Sequence, residues 1–332
     1  MKKALKVTFG TMLAASMASP TFANEYDVLQ HLAVHVNGTY TKASENGLSY
    51  GDILQAPTQV GGGDGFRRQL FLHPDYEFDW GAGASYHIPR TFVRVFFHYD
   101  HFNDGNNTGG STDTRDLGLG APPPTSTAMA SVHHTSNEFT LGIDRRINLG
   151  RRYHIDTAAF LEWDRIRRDM HEQNVNTAVF AFRDTENKMR GWGPGVGIKG
   201  HGLPFQCNNF GIFASAMATL LYSTNTFSQT EEGNNLLRYS YDPEDTHSII
   251  TKFDINFGVD YESVFRIDAG KMQAGIALGM RFVNYVNAFK NGNTFFNPEF
   301  TPGGTWAANT GHPEDWGRWG PFLQFRIGGA HA

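Results

Sequence analysis

The stretch from Tyr76 to Phe102, "YEFDWGAGASYHIPRTFVRVFFHYDHF", alternates in character on both sides of an Ile-Pro-Arg turn. Residues two apart on a strand share a face. Before the turn, one face carries Tyr76, Phe78, Trp80, Ala82, Ala84, Tyr86 and Ile88, and the other carries Glu77, Asp79, Gly81, Gly83, Ser85 and His87. After it, Val93, Val95, Phe97 and Tyr99 oppose Arg94, Phe96, His98 and Asp100. A soluble sandwich alternates in the same way, so three further features decide the fold.

The first is aromatic placement. Tyr76 and Tyr86 are ten residues apart. At ~3.3 Å per residue and a tilt of ~40°, that spacing covers about 25 Å of height, the apolar band of an outer-membrane barrel. Rings with a polar tip suit the two edges of that band. The second is the sorting of connections. Strands are expected near 32–42, 76–88, 91–102, 137–148, 153–166, 190–201, 209–222, 249–263, 271–286 and 317–328. The joins "IPR", "NLGR", "GLPFQC" and "VFRIDAG" are short, whereas 43–75, 103–136, 167–189, 223–248 and 287–316 are long and polar. Short periplasmic turns opposite long external loops are the habit of such barrels, and both termini then face the periplasm. The third is length. Most segments reach the ~9–11 residues a tilted strand needs to cross a bilayer, where soluble strands average five or six. The pattern recurs at 153–166, where Ile155, Thr157, Ala159, Leu161 and Trp163 oppose His154, Asp156, Phe160, Glu162 and Asp164.

The expected fold is therefore all-β, a transmembrane antiparallel up-and-down β-barrel of about 10 strands. The alternative is 12, with an additional hairpin around "FRRQLFLHP". The segment "FGIFASAMATLLYS" at 209–222 is apolar on both faces and is the least distinct strand. Residues 1–23 read as a cleaved signal peptide: Lys2, Lys3 and Lys6, a short apolar run, then Thr21 and Ala23 before Asn24. The barrel takes 24–332. Losing three lysines and no acid moves the net charge from −5 to −8, which argues against nucleic acid as a partner. Cys207 is the single cysteine, so no intramolecular disulfide forms, and a free thiol is expected.

Parity sends Glu77, Asp79, Arg94, Asp100, Glu138, Asp144, Asp156, Glu162, Asp164, Lys252, Asp254, Asp260 and Arg281 into the lumen, with Arg146, Lys199, Arg318 and Arg326 adding positive charge. Tyr76, Trp80, Tyr86, Tyr99, Trp163 and Tyr261 fall at the lipid interface.

"YEFDWGAGASYHIP" with "FVRVFFHYDHF", "GWGPGVGIKG" at 191–200 and the closing "DWGRWGPFLQFRIGG" resemble the Legionella major outer membrane protein family. The resemblance covers most of the chain after the signal peptide and implies an outer-membrane barrel of porin-like or surface-antigen character, with no catalytic set. Barrels commonly end on an aromatic residue; here the chain continues past Phe325 through "GGAHA".

Two readings of the lumen follow. Its charges line a watery path with a weak cation preference, which makes the protein porin-like toward small polar solutes or ions. Alternatively they pair across a narrow interior and close it, because barrels of about eight strands are just wide enough for side chains to fill. The second reading leaves a non-conducting structural barrel whose external loops serve as surface antigen or adhesin. The first is the expectation, the second its alternative.

Catalytic and metal signals are weak. Neither His133 with His134 nor His98 with His101 shares a strand face, and no HExxH occurs. "HFNDGNNTGGSTDTRD" at 101–116 lacks the order of an EF-hand loop, and "GGGDGFRR" at 61–68 lacks the GK[ST] of a phosphate cradle. A rim site assembled from Asp100 and His101, or from Asp164, is conceivable in a barrel enzyme, but nothing in the linear sequence aligns one. "APPPTST" at 121–127 stiffens one loop through polyproline geometry. Phe295, Phe296, Phe300, Trp306 and Trp316 are the external aromatics open to a host ligand. The expectation is no enzyme, no cofactor and no metal. The expected partners are outer-membrane lipid and lipopolysaccharide, with a homo-oligomer or a host-surface ligand as further possibilities.

Overall fold

The computed structural model describes residues 31–45, 49–54, 67–71, 75–105, 107–112, 127–150, 152–175, 180–204, 209–233, 236–242, 244–267, 270–290 and 313–329. The segment 1–23 read as a signal peptide, Cys207, residues 121–126 of the polyproline stretch, Phe295, Phe296, Phe300 and Trp306 lie outside these residues. In chain order the strands are β1 (Leu32–Glu45), β2 (Ser49–Leu54), β3 (Arg67–Phe71), β4 (Tyr76–His87), β5 (Val93–Asn103), β6 (Asn107–Thr112) and β7 (Thr127–Asn148). They continue as β8 (Tyr153–Val175), β9 (Phe180–Gly202), β10 (Phe210–Gly233), β11 (Leu236–Tyr241), β12 (Thr246–Ile267), β13 (Gly270–Lys290) and β14 (Pro313–Gly329).

Ten of them close on themselves. The antiparallel ladder runs β1-β4-β5-β7-β8-β9-β10-β12-β13-β14, and β14 returns to β1 through pairs such as Val34 with Ile327 and Ala43 with Arg318. Closure leaves no wall strand with an open edge in lipid. β6 adds to the outer part of β7 and β11 to that of β10, so the sheet has twelve strands but the barrel ten. The hairpin suspected around "FRRQLFLHP" exists as β2–β3, a separate two-stranded sheet outside the wall, which removes the twelve-strand alternative.

The wall faces follow the alternation. Val34, Phe78, Ile143, Leu161, Val196, Ile255, Leu278 and Phe325 are exposed on the outside. The doubly apolar segment resolves in the same way: Ile212, Leu220 and Tyr222 point out, while Thr219 and Leu221 are buried in the lumen. Aromatics gather in two rings. The outer one includes Tyr40 stacked on Tyr76, Trp80 edge-on to Tyr99, and Trp163 paired directly with Trp192. The inner one includes Tyr86, Tyr153 and the Phe210–Tyr261 pair.

Two stretches share a local device, Trp192-Gly193-Pro194 in β9 and Trp319-Gly320-Pro321 in β14. Proline has no N–H for the ladder. On one side of each strand the pairing lapses, from Tyr222–Trp192 to Thr219–Gly195 and from Lys42–Trp319 to Thr39–Phe322, then resumes in the same register. The glycine lets the strands close over the gap. A Cβ on Gly193 would lie 1.8 Å from the Leu220 carbonyl oxygen, and one on Gly320 would lie 2.0 Å from that of Tyr40.

The long external segments are shorter than the sequence suggests, because the strands continue into them. β8 and β9 have 23 residues each and β10 has 24, roughly twice what a crossing requires. Beyond the outer ring the alternation changes chemistry: Arg165, Arg167 and Asp169 follow Trp163 on the outside, while Ile166 and Met170 are buried inside. An outward polar face and an inward apolar one is the pattern of a water-exposed wall around a packed core, the reverse of the membrane band.

Candidate functional site: a closed lumen

The lumen is filled in layers. Its central layer is an ion network of nine side chains from seven strands. Lys252 on β12 places Nζ 2.8 Å from Glu138, 2.5 Å from Glu162 and 3.4 Å from Asp164. Arg281 on β13 reaches Asp254 at 2.6 Å and Asp100 at 2.7 Å. Arg318 on β14 bridges Asp79 and Glu138, the latter at 2.6 Å. Glu138 is the hub, within 4.0 Å of all three cations. Thr219 donates to Glu162 and Tyr285 donates to Asp164 at 2.9 Å. All nine ionic side chains are buried. Glu138, Glu162 and Asp164 stand close enough to share a metal ion, and the Lys252 ammonium occupies their centre.

Directly outside this layer lies an apolar one. On five strands the residue two positions further out than an ionic one, on the same face, is apolar or aromatic: Phe102, Ile166, Ile250, Val283 and Trp316, and Ala43, Met189, Leu221 and Tyr285 join them from the inner face. They form one cluster, and Trp316 and Tyr285 are fully buried with ring centroids 5.4 Å apart. The cations seat against it, Lys252 over the Tyr285 ring at 5.0 Å and Arg318 over Phe102 at 5.5 Å. A third layer follows: Arg168 pairs with Glu314 at 2.7 Å, and His134 Nδ1 lies 2.7 Å from Asp104.

The periplasmic half is looser. Arg94 chelates Asp144 through Nε and Nη2, at 3.0 and 2.8 Å from Oδ2, and reaches Asp156 at 3.5 Å; Arg146 holds Asp156 at 3.0 Å. A cavity of about 270 Å³ opens among His87, Thr91, Arg94 and Asp144. Another of about 180 Å³ lies against His154, His201 and Asp260, with His201 3.1 Å from Asp260. His35 Nε2 and His98 Nδ1 are 2.9 Å apart, and His98 continues to Asp100 at 3.0 Å, which ties this half to the network.

Of the residues that parity sends inward, Asp79, Asp100, Glu138, Glu162, Asp164, Lys252, Asp254 and Arg281 meet in one network. Arg94, Asp144 and Asp156 form a second group nearer the periplasm, and Asp260 joins His201 there. Glu77 stands apart, beside Gly105. At the lipid interface, Tyr76, Trp80, Trp163 and Tyr261 are exposed, and Tyr86 and Tyr99 are partly exposed. The Tyr99 hydroxyl donates to Asn137 at 2.7 Å. Tyr285, Thr219 and Trp316 complete the closure and were not singled out as lumen residues. For Tyr285 the signal was present, since it shares parity with Arg281.

One local expectation needs correction, and neither of the conceivable rim sites is assembled among the described residues. Trp316 is not an external aromatic, because it is buried in the apolar layer. Asp100 and His101 form no rim dyad: Asp100 points inward to Arg281, and His101 lies on the opposite face of the strand, 3.0 Å from Asn137. Asp164 is likewise committed to Lys252 and Tyr285. In the 101–116 stretch Asp104 turns to His134, and Asn107–Thr112 forms β6.

The profile described as Legionella pneumophila major outer membrane protein precursor matches residues 27–329. The chain belongs to that family. It is accordingly an outer-membrane protein, and the layered lumen is a feature of this member. No curated protein matches the chain. Among solved structures, the outer membrane protease OmpT from Escherichia coli aligns over 93% of this chain and 98% of its own, at 12% identity and a TM-score of 0.42. The translocator domain of the autotransporter NalP from Neisseria meningitidis aligns over 99% and 96%, at 8% identity and a TM-score of 0.32. The Pseudomonas putida toluene transporter TodX aligns over 90% and 89%, at 5% identity and a TM-score of 0.30.

Proposed function

We propose that this family member is a closed structural barrel that does not conduct in its resting state and that displays its external segments at the cell surface. One observation carries this reading: the Glu138-centred network and the apolar layer above it fill the lumen from wall to wall with buried side chains. An ion crossing that layer would have to leave water among Phe102, Tyr285 and Trp316, and hydrophobic constrictions of this kind block permeation by excluding water. A non-enzymatic role is part of the proposal. Its support is that Asp100, Asp164, Asp104 and His134 are buried and committed to partners. The porin-like reading keeps one observation in its favour, the excess of six carboxylates over three cations in the network, which would favour cations if the layers opened.

The test is single-channel recording of the refolded protein in a planar bilayer. Heat-modifiable, folded protein should give no stable steps at neutral pH. Replacing Tyr285 and Trp316 together with alanine, in protein that still folds, should produce them. Stable cation-selective steps from the unaltered chain would reinstate the porin reading and make Asp254 and Glu162 the first charges to reverse.

A further inference from the structure

The outer wall carries a polar row directly above the outer aromatic ring. In the ring, Tyr99, Phe139, Trp163, Trp192 and Tyr222 are successive cross-strand partners. Two residues further out along each of these strands, on the same outward face, the partners are His101, Asn137, Arg165, Arg190 and Thr224, and His247 on β12 continues the row beside Thr224. The centre of this row sets Arg165 directly opposite Arg190 on adjacent strands. Like charges facing each other across a ladder destabilise it. Arg165 is partly exposed, Arg190 is exposed, and among the described residues neither has a carboxylate partner.

The next row shows what compensation looks like. There Arg167 faces Lys188, another like-charged pair, and both are neutralised: Arg167 by Asp169 at 2.9 Å and Glu186 at 2.7 Å, Lys188 by Glu186 at 2.6 Å. The Arg165–Arg190 pair sits nearer the lipid and lacks any such acid. Its flanks are polar and held in place. His101 Nδ1 is 3.0 Å from Asn137, and His247 stacks on Tyr222 with its Nδ1 3.2 Å from Thr224. The arrangement is a ring of outward aromatics capped by two facing guanidiniums without a carboxylate among the described residues, flanked by hydroxyl, amide and imidazole groups.

We propose that Arg165 and Arg190 form a binding site for the phosphorylated sugar headgroup of an outer-leaflet glycolipid. The acyl chains would lie on the apolar wall below Trp163 and Trp192. Guanidinium forks match phosphate oxygens in a bidentate way, and one phosphate between two arginines removes their repulsion. The occupant is a lipid because the cations lie at the upper edge of the lipid band, level with the headgroups, with exposed apolar strand surface continuing beneath them.

The test uses the whole chain refolded in neutral detergent and titrated with bisphosphorylated lipid A, with complexes counted by native mass spectrometry. The variant Arg165→Gln/Arg190→Gln is compared with Arg145→Gln/Arg152→Gln, which removes two charges at the periplasmic edge. A basic side chain at an anionic membrane surface contributes roughly fivefold, so the first variant should bind on the order of 25-fold more weakly and the second like wild type. Lipid A stripped of its phosphates should bind wild type as weakly as intact lipid A binds the first variant. Millimolar inorganic phosphate should not compete. The single changes Arg165→Gln and Arg190→Gln carry the same test at about fivefold each should the pair misfold. Equal lipid retention by the first variant and wild type would overturn the site, as would an equal loss in the periplasmic control. Displacement by inorganic phosphate would assign the arginines to a soluble anion and overturn the lipid.

Discussion

At the scale of a residue, Lys252 has the most to lose. Its ammonium is the counter-charge for three carboxylates buried away from bulk solvent. Removing one member of a buried ion group leaves uncompensated charge, at a cost of about 3–5 kcal/mol. Lys252→Met should therefore lower unfolding stability in vesicles by that amount. A second change, Glu162→Gln, should recover part of the loss by withdrawing one acid from the same cage. Urea titration followed by tryptophan fluorescence measures both, and a second change that deepens the loss would contradict this account of the cage. Parity alone named Glu138, Glu162, Asp164 and Lys252 as lumen residues, because a closed barrel has one inside. Which carboxylate meets which cation was not legible, since the pairing spans 114 residues for Glu138 with Lys252 and 239 for Asp79 with Arg318 and depends on barrel width and stagger.

At the scale of an element, the two Trp-Gly-Pro stretches and the outer strand ends each make a claim. Gly193 and Gly320 have no room for a methyl group because a neighbouring strand's carbonyl is already there. Gly193→Ala and Gly320→Ala should each cost about 1–3 kcal/mol through forced separation of the strands, within the range for overpacking. Gly200, where a Cβ would meet nothing within 4 Å, should tolerate alanine and serves as the comparison. Thermal loss of heat-modifiability ranks the three. The ten crossing segments were legible because lipid on one side and polar side chains on the other impose strict alternation. The outward ends of β7–β10 were not, because above the lipid the outside becomes polar and the inside apolar, and a stretch such as Arg165–His171 then reads as a loop. Hydrogen exchange in vesicles separates the two readings: amides of 166–170 and 186–189 should be as slow as those of the crossing segments. Exchange at the rate of a loop would mean that the apolar layer does not hold them.

At the scale of the whole molecule, the barrel is a membrane protein on its lower part and resembles a soluble protein above. The lower wall has its apolar side outward and charges within. The upper wall turns its polar side outward around Phe102, Ile166, Leu221, Tyr285 and Trp316, which is the inside-out relation any water-surrounded core obeys. The C-terminal strand belongs to both parts, since β14 supplies Trp316 to the apolar layer, Arg318 to the network and Phe325 to the lipid face.

The ionic layer is also divided along the chain. Five of its six acids, Asp79, Asp100, Glu138, Glu162 and Asp164, come from β4, β5, β7 and β8, whereas all three cations, Lys252, Arg281 and Arg318, come with Asp254 from β12, β13 and β14. Within this layer neither half of the polypeptide is electrically balanced, and the late half supplies most counter-ions of the early one. A ribbon made of the first strands alone would turn a row of unneutralised acids toward the space where its missing partners belong, so the early half gains by waiting for the late half before the wall seals. The uneven sign of the two halves thus makes the closed wall, with its last strand in place, the arrangement in which the buried acids of the early strands are neutralised.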